Sequence, residues 1–251
     1  MTGAKKPIDH GFRELKWLLR QRLLAGITPA VAVDLYAGEG RILTELYRGF
    51  RQVHAVEKDP DKYDRLQRRI ALRLQGPGRP LVATYRQDNR VFIRERLAKI
   101  ADVNLLDFDA YGNPHPLIAA VFQVWTPHTR TAIAVTDAGR IPLLRAGRVN
   151  LAHYRPGTAA EAKGRPARVR PLSAEEYELL VQGFWRELAE RHRFALLDFF
   201  GAWAPGRRVL YYGVWIEPDR NLVDRDRPPC PQPLEPQPHG PGEPGQAPPR
   251  D

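Results

Sequence analysis

Residues 31–40 read Val31-Ala32-Val33-Asp34-Leu35-Tyr36-Ala37-Gly38-Glu39-Gly40, and the fold turns on them. Val31, Ala32 and Val33 form a buried-strand run that ends in an acid, Asp34. Gly38 and Gly40 mark a tight turn, after which Ile42, Leu43, Leu46 and Tyr47 share one face of a helical pattern. Strand, glycine turn and helix make the nucleotide-cradling unit of an α/β sheet. Glycine lets the backbone approach a ligand closely, and a helix N-terminus offers unpaired N–H groups. Such a turn also occurs for purely steric reasons, so its meaning depends on the next segment of chain.

That segment, residues 53–57, Val53-His54-Ala55-Val56-Glu57, reads as a second strand ending in an acid. Glu57 lies about 20 residues past the turn, where an acid at the end of the second strand accepts the ribose hydroxyls of a nucleoside. Asp34, just before the turn, can fix the loop or meet a ligand ammonium through a water. An acid at that point suits a zwitterionic amino-acid tail better than a pyrophosphate. The sequence here resembles the class I S-adenosylmethionine-dependent methyltransferases, over roughly residues 30–217. Residues 34–40 are similar to their first motif, and Val56-Glu57-Lys58-Asp59 to their second. The resemblance implies S-adenosylmethionine as cofactor, with Asp34, Tyr36, Gly38, Gly40, Glu57 and Lys58 among its contacts.

Further along, residues 60–74 form a basic helix, and Leu81–Tyr85 a third strand followed by Gln87-Asp88-Asn89. In the methyltransferase pattern a polar residue at this place meets the adenine amino group; Asp88 is the candidate, with Asn89 beside it. Either could equally cap a helix over 90–99. The fourth strand, residues 103–107, carries Asp107 into Phe108-Asp109-Ala110-Tyr111-Gly112-Asn113-Pro114. Two acids, an aromatic and a turn thus stand at the carboxyl end of a central strand, where ligands react in open α/β sheets. A carboxylate can accept the N–H of a planar exocyclic amine, and an aromatic can stack on the base. Residues 107–114 resemble the Asp-x-Asp-Pro-Phe/Tyr-Gly-Ser-Pro motif of the tRNA N2,N2-dimethylguanosine methyltransferases, with Ala110 and Asn113 as departures. Thr131–Asp137 resembles that family's fifth strand and its Thr-Asp ending. The resemblance implies Asp109 as the catalytic acid, Tyr111 in the target pocket, Asn113 near the substrate, and Asp107 nearer the cofactor or structural. It favours RNA over DNA as partner. This chain has no evident counterpart of that family's large C-terminal substrate domain.

Residues 138–172 are strongly basic, with Arg140, Arg145, Arg148, Arg155, Lys163, Arg165, Arg168 and Arg170 set against one acid, Glu161. The insertion starts at a strand's carboxyl end, so Arg140, Arg145 and Arg148 are expected to grip substrate phosphates. A loop with arbitrary arginines is the bland alternative. Ser173 with Glu176 reads as a capping box opening a helix to about His192. Phe194–Trp203 and residues 209–216 read as an antiparallel hairpin, a feature that separates a methyltransferase sheet from an all-parallel NAD-binding one.

Before the glycine turn, residues 8–25 form an amphipathic helix, read as a cover for one sheet edge. After about residue 222 the chain is dense in Pro, Gly and Gln and reads as a disordered tail. The 251 residues are therefore expected to hold one α/β domain over 1–222 and a tail over 223–251. The sheet should be Rossmann-like and mostly parallel, with an antiparallel last strand and flanking helices. A formal charge of +10 favours a polyanionic partner. The lone Cys230 excludes a disulfide framework and a cysteine zinc site, and suits a reducing compartment. No apolar run is long enough for a bilayer and the start lacks a signal-peptide pattern, so a cytoplasmic location is expected. The leading reading is a methyltransferase acting on an exocyclic amine of nucleic acid, needing no metal. A methyltransferase for a small molecule or protein, a non-catalytic nucleic-acid-binding module and an NAD-dependent oxidoreductase are the competing classes.

Overall fold

The computed structural model describes residues 13–156, 167–168 and 172–219. Seven strands make the main sheet: β1 (Val31–Asp34), β2 (Gln52–Val56), β3 (Leu81–Tyr85), β4 (Val103–Asp109), β5 (Thr131–Asp137), β8 (Phe194–Trp203) and β9 (Leu210–Pro218). Two-residue strands β6 (Arg148–Val149) and β7 (Ala167–Arg168) pair separately. The main sheet has the order β3-β2-β1-β4-β5-β9-β8. Neighbouring strands from β3 to β5 run parallel, while β9 runs antiparallel to both β5 and β8. This is the expected mostly parallel sheet with its closing hairpin. The strand order reverses between β1 and β4, so a crevice opens at their carboxyl ends.

Helices cover both faces. α1 (Arg13–Ala25), α2 (Arg41–Leu46) and α3 (Pro60–Arg73) close one core, in which Leu23, Leu43, Tyr47 and Leu66 meet Ala32, Val53, Ala55 and Leu105 of the strands. α4 (Asn89–Glu95), α5 (His115–Phe122), α6 (Arg140–Ala146) and α7 (Ala174–His192) close the other. There Phe92, Ile118, Phe122, Phe184 and Trp185 pack on Val31, Val33, Leu106, Phe108 and Val135. Successive strand residues feed opposite cores, so the central strands are buried on both faces and read as continuous apolar runs. Helix starts follow local chemistry: Asp59 accepts from the Lys62 amide ahead of Pro60, and Ser173 and Glu176 form the expected reciprocal cap of α7.

Several boundaries differ from the sequence reading, three of them near the cleft or its flanking helices. β2 ends at Val56; the Glu57 amide still donates to the Tyr85 carbonyl of β3 at 3.0 Å, while its carboxylate turns toward the glycine turn. β4 runs two residues further than residue 107, because Asp109 still pairs in register with Thr136 of β5. The helix expected over 90–99 ends at Glu95, and a 3-10 turn takes Leu97–Lys99. Residues 8–12 of the first helix, residues 157–166 and 169–171 of the basic insertion and the expected tail lie outside the described residues.

Candidate active site

A cleft of about 1200 Å³ lies at the carboxyl ends of β1, β2 and β4, bounded on one side by α1 and lined by residues that include Asp34, Tyr36, Gly38, Glu57, Asp88, Asn89, Asp109 and Tyr111. Gly38 has φ 54°, a left-handed conformation that favours glycine, and its amide donates to Glu57 Oε2 at 3.0 Å. The amide of Asp59 donates to Glu57 Oε1 at 2.9 Å. A carboxylate has about four acceptor sites, so these two bonds fix Glu57 and leave capacity for hydroxyl donors. A Cβ on Gly38 would meet nothing nearer than Tyr36 O at 3.9 Å, so the backbone here faces open space. Gly40 differs. Its φ is 75°, and a Cβ would sit 2.5 Å from Leu66 Cδ1, so this glycine lets α3 pack close and does not line the cleft.

Asp34 is buried and its Oδ1 accepts the Tyr36 amide at 3.1 Å. Burial pushes its pKa well up, and the charge of Asp107 adds to that. Tyr36 is half-buried; burial raises its pKa, and a hydrogen bond with Asn89 opposes the rise. Asp88 caps α4 by accepting the Arg90 amide at 2.9 Å and also stands 3.8 Å from the ammonium of Lys58, which is exposed. The helix-cap role weighed for Asp88 is therefore real, and the residue lines the cleft as well.

On the reactive side, the two acids of β4 separate sharply. Asp107 and Arg20 of α1 are both 0% exposed. The guanidinium grips Asp107 in a fork, Nε to Oδ2 at 2.7 Å and Nη2 to Oδ1 at 2.6 Å, and Tyr47 donates its hydroxyl to Oδ2. Asp107, read from the sequence as a cofactor contact or a structural acid, holds α1 and α2 against the sheet and does not line the cleft. Asp109 does line it. Lys16 of α1 donates to both its oxygens, at 2.6 and 2.8 Å, and Thr136 donates to Oδ1 at 2.5 Å. Burial alone would raise the Asp109 pKa, but Arg20 and Lys16 outweigh it and the net shift is downward. Asp109 is thus an ionised acceptor at neutral pH, suited to taking an N–H bond and poorly suited to removing a proton early. Tyr111 is 69% exposed, and Lys62 Nζ lies 4.9 Å from its ring centroid.

Lys16, Trp17 and Arg13 of α1 also line the cleft. The sequence reading placed α1 over a sheet edge and missed them. Their signal was faint: one lysine and one tryptophan beside an ordinary apolar stripe.

Asn113 is committed to its own loop, with Oδ1 accepting the His115 amide at 2.9 Å and Nδ2 3.4 Å from His153 Nδ1. Arg140, expected on substrate phosphates, is buried. Its guanidinium donates to the carbonyls of Arg207 and of Leu172, the latter at 2.9 Å, so it clamps the insertion to the body of the protein. A guanidinium spent on buried carbonyls is not offered to a polyanion. Arg145 is exposed on α6, and Arg148 lies in β6, paired with β7. Beside them Asp137 is fully buried, accepts from the Gly139 amide at 2.7 Å and from Tyr177, and is pushed up by burial to about 7. His115, 3.9 Å away, is pushed down by burial to about 3.

No protein-family model matches the chain, and no curated protein does. Among solved structures, Trm1 from Pyrococcus horikoshii with S-adenosyl-L-methionine superimposes with a TM-score of 0.58 at 15% identity, covering 84% of this chain and 56% of that one. M. jannaschii TYW2 in complex with AdoMet gives 0.46 at 18% identity, covering 83% of this chain and 78% of that one. Trm5b from Pyrococcus abyssi gives 0.47 at 15% identity, covering 79% of this chain and 47% of that one. The likeness to Trm1 shows that this chain has the Rossmann-like fold of the class I methyltransferases. The chain spans little more than half the length of the Trm1 structure. Among the described residues, no helix is long and apolar enough to cross a membrane.

Proposed function

We propose that the protein is an S-adenosylmethionine-dependent methyltransferase acting on an exocyclic amine of a base in nucleic acid, with RNA favoured over DNA. One observation carries this reading: the fixed Gly38–Glu57 turn and the ionised Asp109 open into the same cleft. The turn suits a nucleoside with an amino-acid tail. Gly38 offers close backbone approach, Glu57 retains acceptor capacity for ribose hydroxyls, and Asn89 and Asp88 stand where the base edge would lie. Asp34, uncomfortable as a buried anion, would gain the counter-charge of a ligand ammonium. The bound cofactor would supply an electrophilic methyl group. The protein's part is to hold the amine near attack distance and, through Asp109, to accept one of its N–H bonds. That bond draws the nitrogen lone pair out of ring conjugation, and Asp109 takes the proton only after the nitrogen has become cationic. Tyr111 at the mouth supports stacking on a planar base. The resemblance of residues 107–114 to the dimethylguanosine motif and the fold shared with Trm1 favour a tRNA-like target; the exposed Arg145 and the formal charge of +10 favour a polyanion.

The test is incubation of the full chain with labelled S-adenosylmethionine and, separately, total RNA, DNA, protein and a small-molecule extract, followed by mass spectrometry of the digested products. An N-methylated base in RNA supports the reading. Label confined to protein or to small molecules refutes it.

A further inference from the structure

Helix α1 does more than cover the sheet. Its Arg20 is locked to Asp107, its indole neighbour Trp17 lines the cleft, and Lys16 reaches 93 residues along the chain to Asp109. Lys16 and Asp109 are only 16% and 18% exposed, so their contact is a held one and not a passing surface pair. The lone pairs of Asp109 can be counted. Among the described residues, Oδ1 accepts from Lys16 and Thr136, and Oδ2 accepts from Lys16 alone. One acceptor site remains, on Oδ2. We propose that Lys16 is a positioning residue that fixes the Asp109 carboxylate so that this remaining site on Oδ2 receives the N–H of the target amine. α1 is then part of the reaction centre, although no residue of it carries a recognisable motif.

The geometry has three consequences. Lys16 and Thr136 together fix the rotation of the carboxylate, so the acceptor site does not swing. The ammonium beside Asp109 selects for a neutral amine as target, since a cationic one would face like charge. And because Lys16 is a donor only, it leaves the acceptor role to Asp109 alone. The charged and titratable groups that face Asp109 are Lys16 and Arg20 from α1, Asp34 from β1, Asp107 from its own strand and Tyr211 from β9. Of these, Lys16 is the cation in direct contact. Without it the carboxyl keeps Arg20 at longer range and loses its fixed orientation.

The inference rests on the proposed function, and its test separates the two. Lys16→Met keeps the aliphatic stem and removes the charge; Lys16→Arg keeps the charge. Both are compared with wild type in folding, by circular dichroism and melting, and in turnover on the methylated nucleoside across pH. Lys16→Met should lower kcat about 10- to 100-fold, less than the roughly 100- to 10,000-fold loss of a positioned acid–base group, with KM for the nucleic acid near wild type. The acid limb of its pH profile should move to higher pH, as expected when an opposite charge leaves a carboxylate. Lys16→Arg should restore most of kcat and the limb. Unchanged kcat and limb in Lys16→Met would overturn the inference, as would faster turnover, which would make Lys16 a competitor of the substrate. The titration midpoint of the Asp109 carboxyl carbon, followed by carbon-13 NMR in both variants, requires no turnover. If the wild type methylates no nucleic acid, the proposed function falls. A raised midpoint in Lys16→Met then still supports the role of Lys16, and an unchanged one overturns it.

Discussion

Replacing Arg20 by methionine tests the joint that fastens α1 to the sheet. The Arg20 side chain is fully buried, its fork spans both oxygens of Asp107, and among the described residues the one other donor to that carboxylate is the Tyr47 hydroxyl. Methionine keeps most of the aliphatic packing, so the loss falls on the charge. Asp107 is left as a buried carboxylate with one hydroxyl donor and a second acid, Asp34, nearby. Removing one partner of such a pair typically costs about 3–5 kcal/mol. That is a large fraction of the roughly 5–15 kcal/mol by which domains are stable. With a urea slope near the upper end of the ordinary range, the midpoint should fall by roughly 1–2 M. Asp107→Asn alone should also destabilise, by stranding Arg20. The double variant should be more stable than the sum of the singles implies, by roughly 1–3 kcal/mol of coupling. Equilibrium urea unfolding, followed by tryptophan fluorescence and circular dichroism, measures all three. Strict additivity, or a loss below about 1 kcal/mol for Arg20→Met, would refute the view that this pair holds α1 in place.

Four further outcomes are expected. Asp109→Asn keeps the shape and removes the charge, so turnover should fall about 100- to 10,000-fold while S-adenosylmethionine affinity by calorimetry stays near wild type; full turnover would reduce Asp109 to a partner of Lys16 and Thr136. Glu57→Ala removes acceptors for ribose hydroxyls, each charge-assisted bond contributing roughly 1.5–3 kcal/mol, and also frees the Gly38 turn; unchanged cofactor affinity would sink the assignment. Gly40→Ala and Gly38→Ala both put a Cβ on a left-handed backbone, so both should lower the melting temperature, Gly40→Ala more because its Cβ also comes within 2.5 Å of Leu66, while Gly38→Ala should in addition weaken cofactor binding. The pH dependence of Asp137 has a definite sign. Its folded-state pKa of about 7 lies above the unfolded value, so its contribution is fully present at low pH and is lost as pH rises through 7. The advantage of Asp137→Asn over wild type in urea unfolding should therefore grow between pH 4 and pH 7, by roughly 4 kcal/mol at 1.36 kcal/mol per unit. The lowered pKa of His115 makes stability rise with pH from about 3 towards its ordinary value, which opposes the effect in wild type. A constant difference would mean that Asp137 is ionised throughout.

Much of the fold was written in local pattern. The alternation of apolar runs with amphipathic stretches gave the strands of the main sheet, and the glycine turn with its following acid located the crevice. The reciprocal Ser173–Glu176 cap is visible in four residues. What local pattern cannot carry is pairing over distance. Arg20 and Lys16 find Asp107 and Asp109 at separations of 87 and 93 residues, and nothing in the helix periodicity marks which of its basic residues turn inward. Arg140 shows the reverse error. Its basic neighbourhood suggested a surface for phosphate, yet the carbonyls of Arg207 and Leu172 draw its guanidinium into the interior. Charge counts along a chain describe what solvent and partners could meet; burial decides what they do meet.

The place of β9 bears on how the chain reaches this state. β9 lies between β5 and β8, so the β5 edge has no partner on that side until residues 210–218 arrive. α1 gains a further hold from the same event, for Trp215 of β9 donates its indole N–H to the carbonyl of Leu23 at 3.1 Å. During synthesis the apolar β5 edge therefore stands open while six strands of the main sheet are already made, a hazard for edge-to-edge association. Limited proteolysis of chains stalled before and after residue 218 would show the step, with protection of the carboxyl end of α1 rising in the longer ones.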